Sequence, residues 1–355
     1  MDKFAEELAK FINPFDDMDA QLCCFAHSIN LIAKIFISFF FVTRRQKLIE
    51  SDDESENEVE VKEEEVDDDD ESVDGLENEV VDEEDDETTE AEQDDADEGQ
   101  GRFNEKVTKK LREKAIAEMR TQGYKLKSAE IKSTGELFPK IAGLARRVND
   151  SGTLKEKFDR LVTKSEDITG SRTALSRQVP TCWNSEMECL VSYMHFKDVV
   201  EQLLAVSSLK LGRYKLSSEQ WSMTDDVSQV LMLFEDITQI FSQAEVPLIV
   251  DVLPSLYDLR GGLEAARDDS EHEVADIVRV ACHASILVAN KYLNLIEDND
   301  FYLFTIVMCP DRKLRWFKDH GRTIQQVNQL KSRVIASWEK SYKQMGREDD
   351  DFFVS

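Results

Sequence analysis

The side chains best suited to catalysis or metal binding lie close together near the start of the sequence. They are the thiols of Cys23 and Cys24 and the imidazole of His27. Their spacing can place a thiolate and an imidazole at the end of a strand and in the first turn of the following helix. A closed zinc site needs four ligands, and only three are local. Cys182 could supply a fourth, but nothing in the sequence places it there. We therefore expect a buried thiol at Cys24 and a hydrogen-bonded imidazole at His27, with no zinc or other cofactor. A nucleophilic pair also lacks an identifiable oxyanion donor or orienting acid.

The next candidate cluster is Trp183, Asn184 and Ser185. Trp183 can fill core space, and Asn184 or Ser185 can cap the helix that follows by accepting a backbone N–H bond. Structural roles are therefore expected for these residues. Cys282 and His283 are adjacent within an apolar helical pattern, so packing rather than metal binding is expected for them as well.

Residues 102–147 are rich in basic side chains, with 13 Lys and Arg against five Glu and a net charge of +8. Basic residues at this density can neutralise nucleic-acid phosphates without reading the bases. The alternative is a solvated helix surface on which Glu and Lys pair four residues apart. The residues that we predict to bind nucleic acid are Lys106, Lys109, Lys110, Arg112, Lys114, Arg146 and Arg147.

Acidic side chains are concentrated in residues 50–98, which hold 30 Asp and Glu against the single Lys62, a net charge of −29. The formal charge of the whole chain is −30, so the other residues together are close to neutral. The segment has no aromatic residue and few aliphatic ones, so it cannot bury enough apolar surface to offset the entropy of ordering. We expect a disordered, solvated segment, and we call it the acidic tract.

Most of the remaining sequence has the apolar spacing of helices. Residues 21–24 are the plausible strand. Ser217 and Gln220 have the spacing of a capping box. Helices are predicted at about 2–12, 26–42, 104–121, 136–148, 154–168, 184–206, 217–242, 247–267, 272–296, 299–307 and 324–345.

Residues 29–42 are strongly apolar and are followed by three basic residues. A membrane-spanning helix needs about 20 apolar residues, whereas this stretch is shorter and contains Asn30 and Lys34. We therefore expect a buried helix and no membrane partner. The six cysteines do not form a disulfide framework, which indicates a reducing compartment.

Two short strings resemble segments of one protein family. Residues 23–33 read CCFAHSINLIA, and residues 179–185 read VPTCWNS. In this order, and across a long helical interval, they resemble the C-x-x-H-x-x-N-L and R-W-N-S segments of hAT-family DNA transposases, particularly those of fungal genomes. Flanking segments at 4–11, 134–141, 143–152 and 308–317 resemble the same family. The positions that carry the family motifs are Cys24, His27, Asn30, Cys182 and Trp183.

The resemblance implies an RNase H-like core that is interrupted by a large helical insertion. It also implies that DNA is cut and joined by three carboxylates that hold two divalent metals. By family analogy, the strands with the first two Asp would fall upstream of Met1, and the family Glu would lie beyond Ser355. Cys182 stands where the family has Arg, and a mostly neutral thiol lacks the permanent charge of a guanidinium. We therefore expect a catalytically incomplete protein that is not an enzyme.

The predicted fold is mostly α: a helical insertion domain attached to a truncated RNase H-like core of the α/β class, with a long disordered acidic loop. The predicted divisions are a core remnant at 1–49, an acidic linker at 50–101, a helical domain at 102–345 and a disordered tail at 346–355.

The function implied by the resemblance is that of a transposase-derived nuclear protein without strand-transfer activity, which retains weak, non-specific binding to DNA. Self-association is also expected if the missing parts leave apolar faces uncovered. The alternative is an acidic interaction protein, in which the acidic tract binds histones or other basic partners and the helices are a scaffold. The cytoplasm is the alternative location.

Overall fold

The computed structural model describes residues 25–41, 95–165, 168, 170, 172–179, 183–242 and 249–341, with side chains in the second range described from residue 106. These residues are mostly helical and contain no strand, so the prediction of a mostly helical fold is confirmed. The strand predicted at 21–24 and the helix predicted at 2–12 lie outside the described residues, as does the acidic tract up to residue 94.

The helices in chain order are α1 (Phe25–Ile37), α2 (Asp95–Thr121), α3 (Ser128–Thr134), α4 (Leu137–Asp150), α5 (Gly152–Lys164), α6 (Trp183–His195), α7 (Lys197–Leu204), α8 (Ser218–Phe241), α9 (Ile249–Asp268), α10 (Asp276–Glu297), α11 (Asp300–Met308), α12 (Lys313–Asp319) and α13 (Ile324–Ser341). Two 3-10 turns, Ser207–Leu209 and Gly212–Tyr214, separate α7 from α8. Within the described ranges, no helix combines the length and apolarity needed to cross a bilayer.

The chain divides into two compact units. The described residues up to Phe41 and from Leu111 onward form the first unit, and residues 95–110 group with the second. The first unit therefore contains α1 together with α3 to α13, although these helices fall on both sides of the acidic tract.

Helix α1 is a core helix of the first unit. It packs against α10, α8 and α6, and Ile32, Ala33 and Phe36 are fully buried. The Ser285 hydroxyl of α10 donates a hydrogen bond to the Ile32 carbonyl at 3.1 Å. Helix α10 is itself mostly buried and packs along α9. Residues 29–37 of the apolar stretch therefore form a buried helix, as the sequence predicts.

The end of α1 differs from the prediction, which extended this helix to residue 42. The helix ends at Ile37, and the Phe40 carbonyl accepts a hydrogen bond from the N–H of Phe138 in α4 at 3.0 Å. Phe39 and Phe40 are both fully buried. Residues 38–41 therefore leave the helix and pack against the rest of the unit. Apolar spacing within one segment does not predict such contacts.

Helix α2 begins at Asp95, inside the predicted acidic linker, and not at Asn104 as predicted. The helix dipole favours acidic residue types near the start of a helix, which is a physical reason for the longer helix. The predicted division after residue 101 consequently falls within one continuous helix. Helix α3 was not predicted at all.

The helix predicted at 184–206 is in fact two helices, α6 and α7, because the backbone leaves the helical conformation at Phe196 (φ −98°, ψ 22°). The Phe196 ring is fully buried and meets the Phe158 ring of α5 edge-on, with 5.2 Å between the ring centroids. The break therefore coincides with tight packing against α5. That helix ends at Lys164, before the predicted end at 168.

Ser217 and Gln220 form the predicted capping box at the start of α8. The Ser217 hydroxyl accepts the Gln220 N–H at 3.1 Å, and the Gln220 side-chain oxygen accepts the Ser217 N–H at 3.1 Å. Helix α12 was not predicted, because its seven residues are too few to show an apolar period.

Candidate functional site

The structure brings the two family-like segments together where α6 begins. The Oδ1 atom of Asn30 in α1 accepts a hydrogen bond from the backbone N–H of Trp183, the first residue of α6, at 3.3 Å. The first N–H groups of a helix have no partner within that helix, so Asn30 caps α6 from another helix. Two of the family positions, 153 residues apart, are thus in direct contact.

A second contact lies one helical turn further along both helices. Lys34 follows Asn30 by four residues and Glu186 follows Trp183 by three, which are the spacings of neighbours on one helix face. The Lys34 Nζ and Glu186 Oε1 atoms are 2.5 Å apart, with the two side chains 29% and 3% exposed. The Gln178 side-chain amide also donates to this oxygen, at 3.4 Å. Because a buried carboxylate is costly without a partner, the pair stabilises Glu186 in the core.

Ser185 does not cap α6, so that part of the prediction is wrong. The helix begins at Trp183, which places Asn184 and Ser185 inside its first turn. The Ser185 hydroxyl donates to the Val179 carbonyl at 2.5 Å and accepts the Val179 N–H at 2.9 Å. Ser185 therefore ties the preceding segment to the helix, and the cap comes from Asn30.

The Trp183 side chain fills core space. It is buried, and its ring centroid lies 5.7 Å from that of Phe234 in α8. Together, Asn30, Lys34, Trp183 and Glu186 orient α1, α6 and α8. Their arrangement positions helices, and it presents no reactive group to solvent.

Replacing Asn30 by Ala is expected to lower the free energy of unfolding by about 1 kcal/mol, because the loss of a helix cap has about this effect. Equilibrium urea unfolding followed by circular dichroism measures the change. Asn184→Ala is the matched control, because Asn184 is exposed in the same helical turn. Equal stability of the two variants would show that the Asn30 cap contributes nothing.

The possible metal ligands are only partly described. His27 is exposed and not held in the core, while Cys23, Cys24 and Cys182 lie outside the described residues. Within the described ranges, no three His, Cys, Asp or Glu side chains are grouped so that they could hold a metal ion. The expectation that Cys24 binds no zinc stays a prediction.

Two described thiols are buried in the core. Burial raises the pKa of the Cys282 thiol to about 12, and burial together with the charge of Glu186 raises the pKa of Cys189 to about 12. Both thiols are therefore protonated at pH 7, and a protonated thiol is a poor nucleophile and metal ligand. The Nε2 atom of His283 lies 2.7 Å from a Glu118 carboxylate oxygen, a contact that suits the structural role predicted for the Cys282 and His283 pair.

The predicted phosphate-binding residues of α2 lie in different environments. Arg112 is buried, with its guanidinium over the Phe39 ring at 5.1 Å from the centroid, so it is not on the surface that a phosphate would reach. Lys114 is exposed and lies 3.8 Å from Glu118, one turn along the same helix. Three further residues, Lys106, Lys109 and Lys110, belong to the part of α2 that groups with the second unit.

Arg146 and Arg147 are exposed on α4. Neither makes an ion pair with any residue that the structure describes. Of the predicted set in the first unit, these two are therefore the best placed to meet a phosphate.

Comparison with known proteins relates part of the chain to the same family. Residues 125–230 match the family model of the ZBED1 RNase-like helical domain, and this segment includes α3 to α7 and the first half of α8. That domain is hAT-related, which suggests a transposase-derived origin for the matched part. No curated protein and no solved structure matches the chain.

The contact between Lys34 and Glu186 was not predicted from the sequence. The available signal was their position, one helical turn after Asn30 and Trp183 respectively. The basic loop at 205–217, with Lys210, Arg213 and Lys215, was not predicted either, because a loop shows no periodic pattern.

Proposed function

We propose that this protein derives from a hAT transposase of the fungal type and binds nucleic acid without cutting or joining it. The observation that best supports the proposal is the hydrogen bond between Asn30 and Trp183. It joins the two strings that resemble family motifs, in a chain whose residues 125–230 match a hAT-related helical domain. The contact places both strings at one position of the same helical unit, which supports a common origin for them.

The binding part of the proposal rests on charge. Residues 102–147 carry a net charge of +8, and Arg146 and Arg147 are exposed. Basic side chains release counterions from nucleic acid when they contact phosphates, so the binding is independent of sequence and sensitive to salt. We propose the nucleus as the location because DNA is the proposed partner. Exposed apolar side chains on α13, Ile324 and Trp338, support self-association as a further property.

Fluorescence anisotropy with a labelled random-sequence duplex tests the binding. The full chain should bind at low salt, and its affinity should fall steeply between about 50 and 200 mM salt. Absence of binding at the low end of this range would contradict the proposal.

We expect no metal-dependent cleavage or joining of DNA by this chain. The resemblance leaves no residue at the positions of the three family carboxylates, and two-metal catalysis needs such ligands. The test incubates the purified protein with supercoiled plasmid and with transposon-end duplexes in the presence of Mn²⁺. Product that forms with the protein and disappears when a chelator is added would show that the proposal is wrong.

The acidic tract supports a second candidate function. Its net charge of −29 suits binding to histones or other basic proteins, with the helical unit as a scaffold. Deleting residues 50–98 distinguishes the two candidates. Histone binding should vanish if the tract is the binding element, whereas DNA binding should survive or rise if the basic residues are.

A further inference from the structure

We propose that the exposed face of α4 and the loop at 205–217 together bind the sugar–phosphate backbone of a nucleic acid. This inference rests on the proposed function and deepens it, because it names the binding surface. We call the two segments the α4–loop surface. Its basic residues are Lys140, Arg146, Arg147, Lys210, Arg213 and Lys215.

Helix α4 has one polar face. Lys140, Gly143, Arg146 and Arg147 are separated by steps of three or four residues, so they share one side of the helix. The opposite side is buried through Leu137, Phe138, Ile141, Ala142, Leu144, Ala145 and Val148. Burial of these apolar residues fixes the rotation of the helix and keeps both Arg side chains in solvent.

Tyr214, from the loop, lies on this polar face. A Cβ atom placed on Gly143 would be 2.6 Å from the Cε1 atom of Tyr214, so the ring rests directly on the helix backbone. The Tyr193 hydroxyl of α6 also donates to the Tyr214 carbonyl, at 3.4 Å. Because Gly143 lies between Lys140 and the two Arg residues in the helix, these contacts place the loop beside the basic residues of α4.

The loop adds three cations around Tyr214. The Arg213 guanidinium lies over the Tyr214 ring at 4.8 Å from the centroid and donates to its hydroxyl at 2.7 Å. Lys210 and Lys215, which precede and follow Tyr214 in the loop, are exposed. A helix face and a loop thus present their positive charges to the same region of solvent.

The α4–loop surface has one acidic residue, Asp150 at the end of α4, and its carboxylate pairs with Arg177. Residues 137–149 and 205–217 hold six Lys and Arg and no Asp or Glu. Within the described part of the chain, only Lys140 of these six has an ion-pair partner, the Glu136 carboxylate at 3.8 Å. Positive charges that outnumber the acidic residues beside them attract anions, so the surface is suited to an anionic partner.

The spacing and residue types favour a nucleic acid as that partner. Lys140 and Arg147 are about 10 Å apart along the helix axis at about 1.5 Å per residue, a length that spans roughly three phosphates of one strand. Three of the six cations are Arg, whose planar fork binds two phosphate oxygens at once. The half-buried Tyr214 ring contacts α4 at Gly143 and supports the Arg213 guanidinium, so it holds this cation beside the helix.

The test compares two triple variants of the full chain in the anisotropy assay. The first removes the loop cations (Lys210→Ala, Arg213→Ala, Lys215→Ala). The matched control removes three exposed lysines elsewhere in the first unit (Lys291→Ala, Lys318→Ala, Lys331→Ala) and therefore loses the same charge. We expect the loop variant to bind at least about tenfold more weakly at about 50 mM salt, with a salt slope smaller by about 2, and the control to bind like the wild type. Circular dichroism and thermal melting confirm that both variants are folded.

Each other outcome overturns the inference in a distinct way. Equal weakening of both variants would mean that overall charge and not this surface binds DNA. Wild-type binding by the loop variant would refute the surface but leave the proposed function standing. No binding by the wild type would refute both. Displacement of the duplex by polyglutamate as effectively as by unlabelled duplex would assign the surface to acidic polypeptides instead.

Gly143→Ala tests the placement of the loop without changing charge. The added methyl group must displace the Tyr214 ring, so affinity for the duplex should fall several-fold. Gly261→Ala in α9 is the control, because a Cβ atom there meets nothing within 4 Å. Unchanged affinity of Gly143→Ala would contradict the claim that the helix and the loop bind as one surface.

Discussion

Replacing Lys34 by Met is expected to lower the free energy of unfolding by about 2 kcal/mol. The substitution leaves the Glu186 carboxylate, which is 3% exposed, without its cation. Removal of one partner of a fully buried pair costs about 3 to 5 kcal/mol. The expected value is lower because Lys34 is 29% exposed, so water already screens part of the attraction. Equilibrium urea unfolding of the full chain measures the difference.

Two further variants show whether burial of the unpaired charge is the cause. The double variant Lys34→Met, Glu186→Leu should recover most of the lost stability, because an apolar pair of similar volume is often as stable as a buried ion pair. Arg160→Met is the surface control. Arg160 and Glu156 pair at 2.6 Å but are 69% and 63% exposed, so its loss should cost less than about 1 kcal/mol. If Lys34→Met costs no more than Arg160→Met, the ion pair between α1 and α6 is not important for stability.

Deleting the acidic tract, residues 50–98, is expected to strengthen binding to a random-sequence duplex by roughly tenfold at low salt. The tract has a net charge of −29 and leads almost directly into the +8 segment at 102–147. Segments of one chain meet at an effective concentration set by the chain that joins them, so the tract competes with DNA phosphates within the same molecule. Anisotropy titrations of the intact and deleted chains at about 50 to 200 mM salt measure the effect.

A neutral tract of the same length separates charge from chain length. In that variant, every Asp of residues 50–98 becomes Asn and every Glu becomes Gln. Competition by charge predicts that it binds DNA as tightly as the deletion variant does. If the deletion variant binds no better than the intact chain, the acidic tract does not mask the basic residues.

The sequence predicts the class of the fold and several helix ends, because apolar spacing and capping residues are local signals. The capping box at Ser217 and Gln220 is an example in which both partners lie in one short segment. Predictions failed where distant contacts decide the backbone. Phe196 interrupts one predicted helix because its ring packs on Phe158, and the turn after Ile37 depends on a bond to Phe138. Such contacts cannot be inferred from spacing along one segment.

The candidate site was predictable only in part. The resemblance selected Asn30 and Trp183, but the sequence did not show that their segments meet. Arg112 has the residue type of a phosphate ligand, yet its guanidinium lies over Phe39 in the core. The contact of Tyr214 with Gly143 is equally invisible in the sequence, because it depends on how a loop folds back onto a helix.

The position of α1 has a consequence for how the chain folds. Its partners Glu186 and Ser285 lie 152 and 253 residues further along the chain from Lys34 and Ile32. During synthesis, the apolar face of α1 therefore stays uncovered until segments much later in the chain have emerged. Contacts between residues so far apart in sequence slow folding.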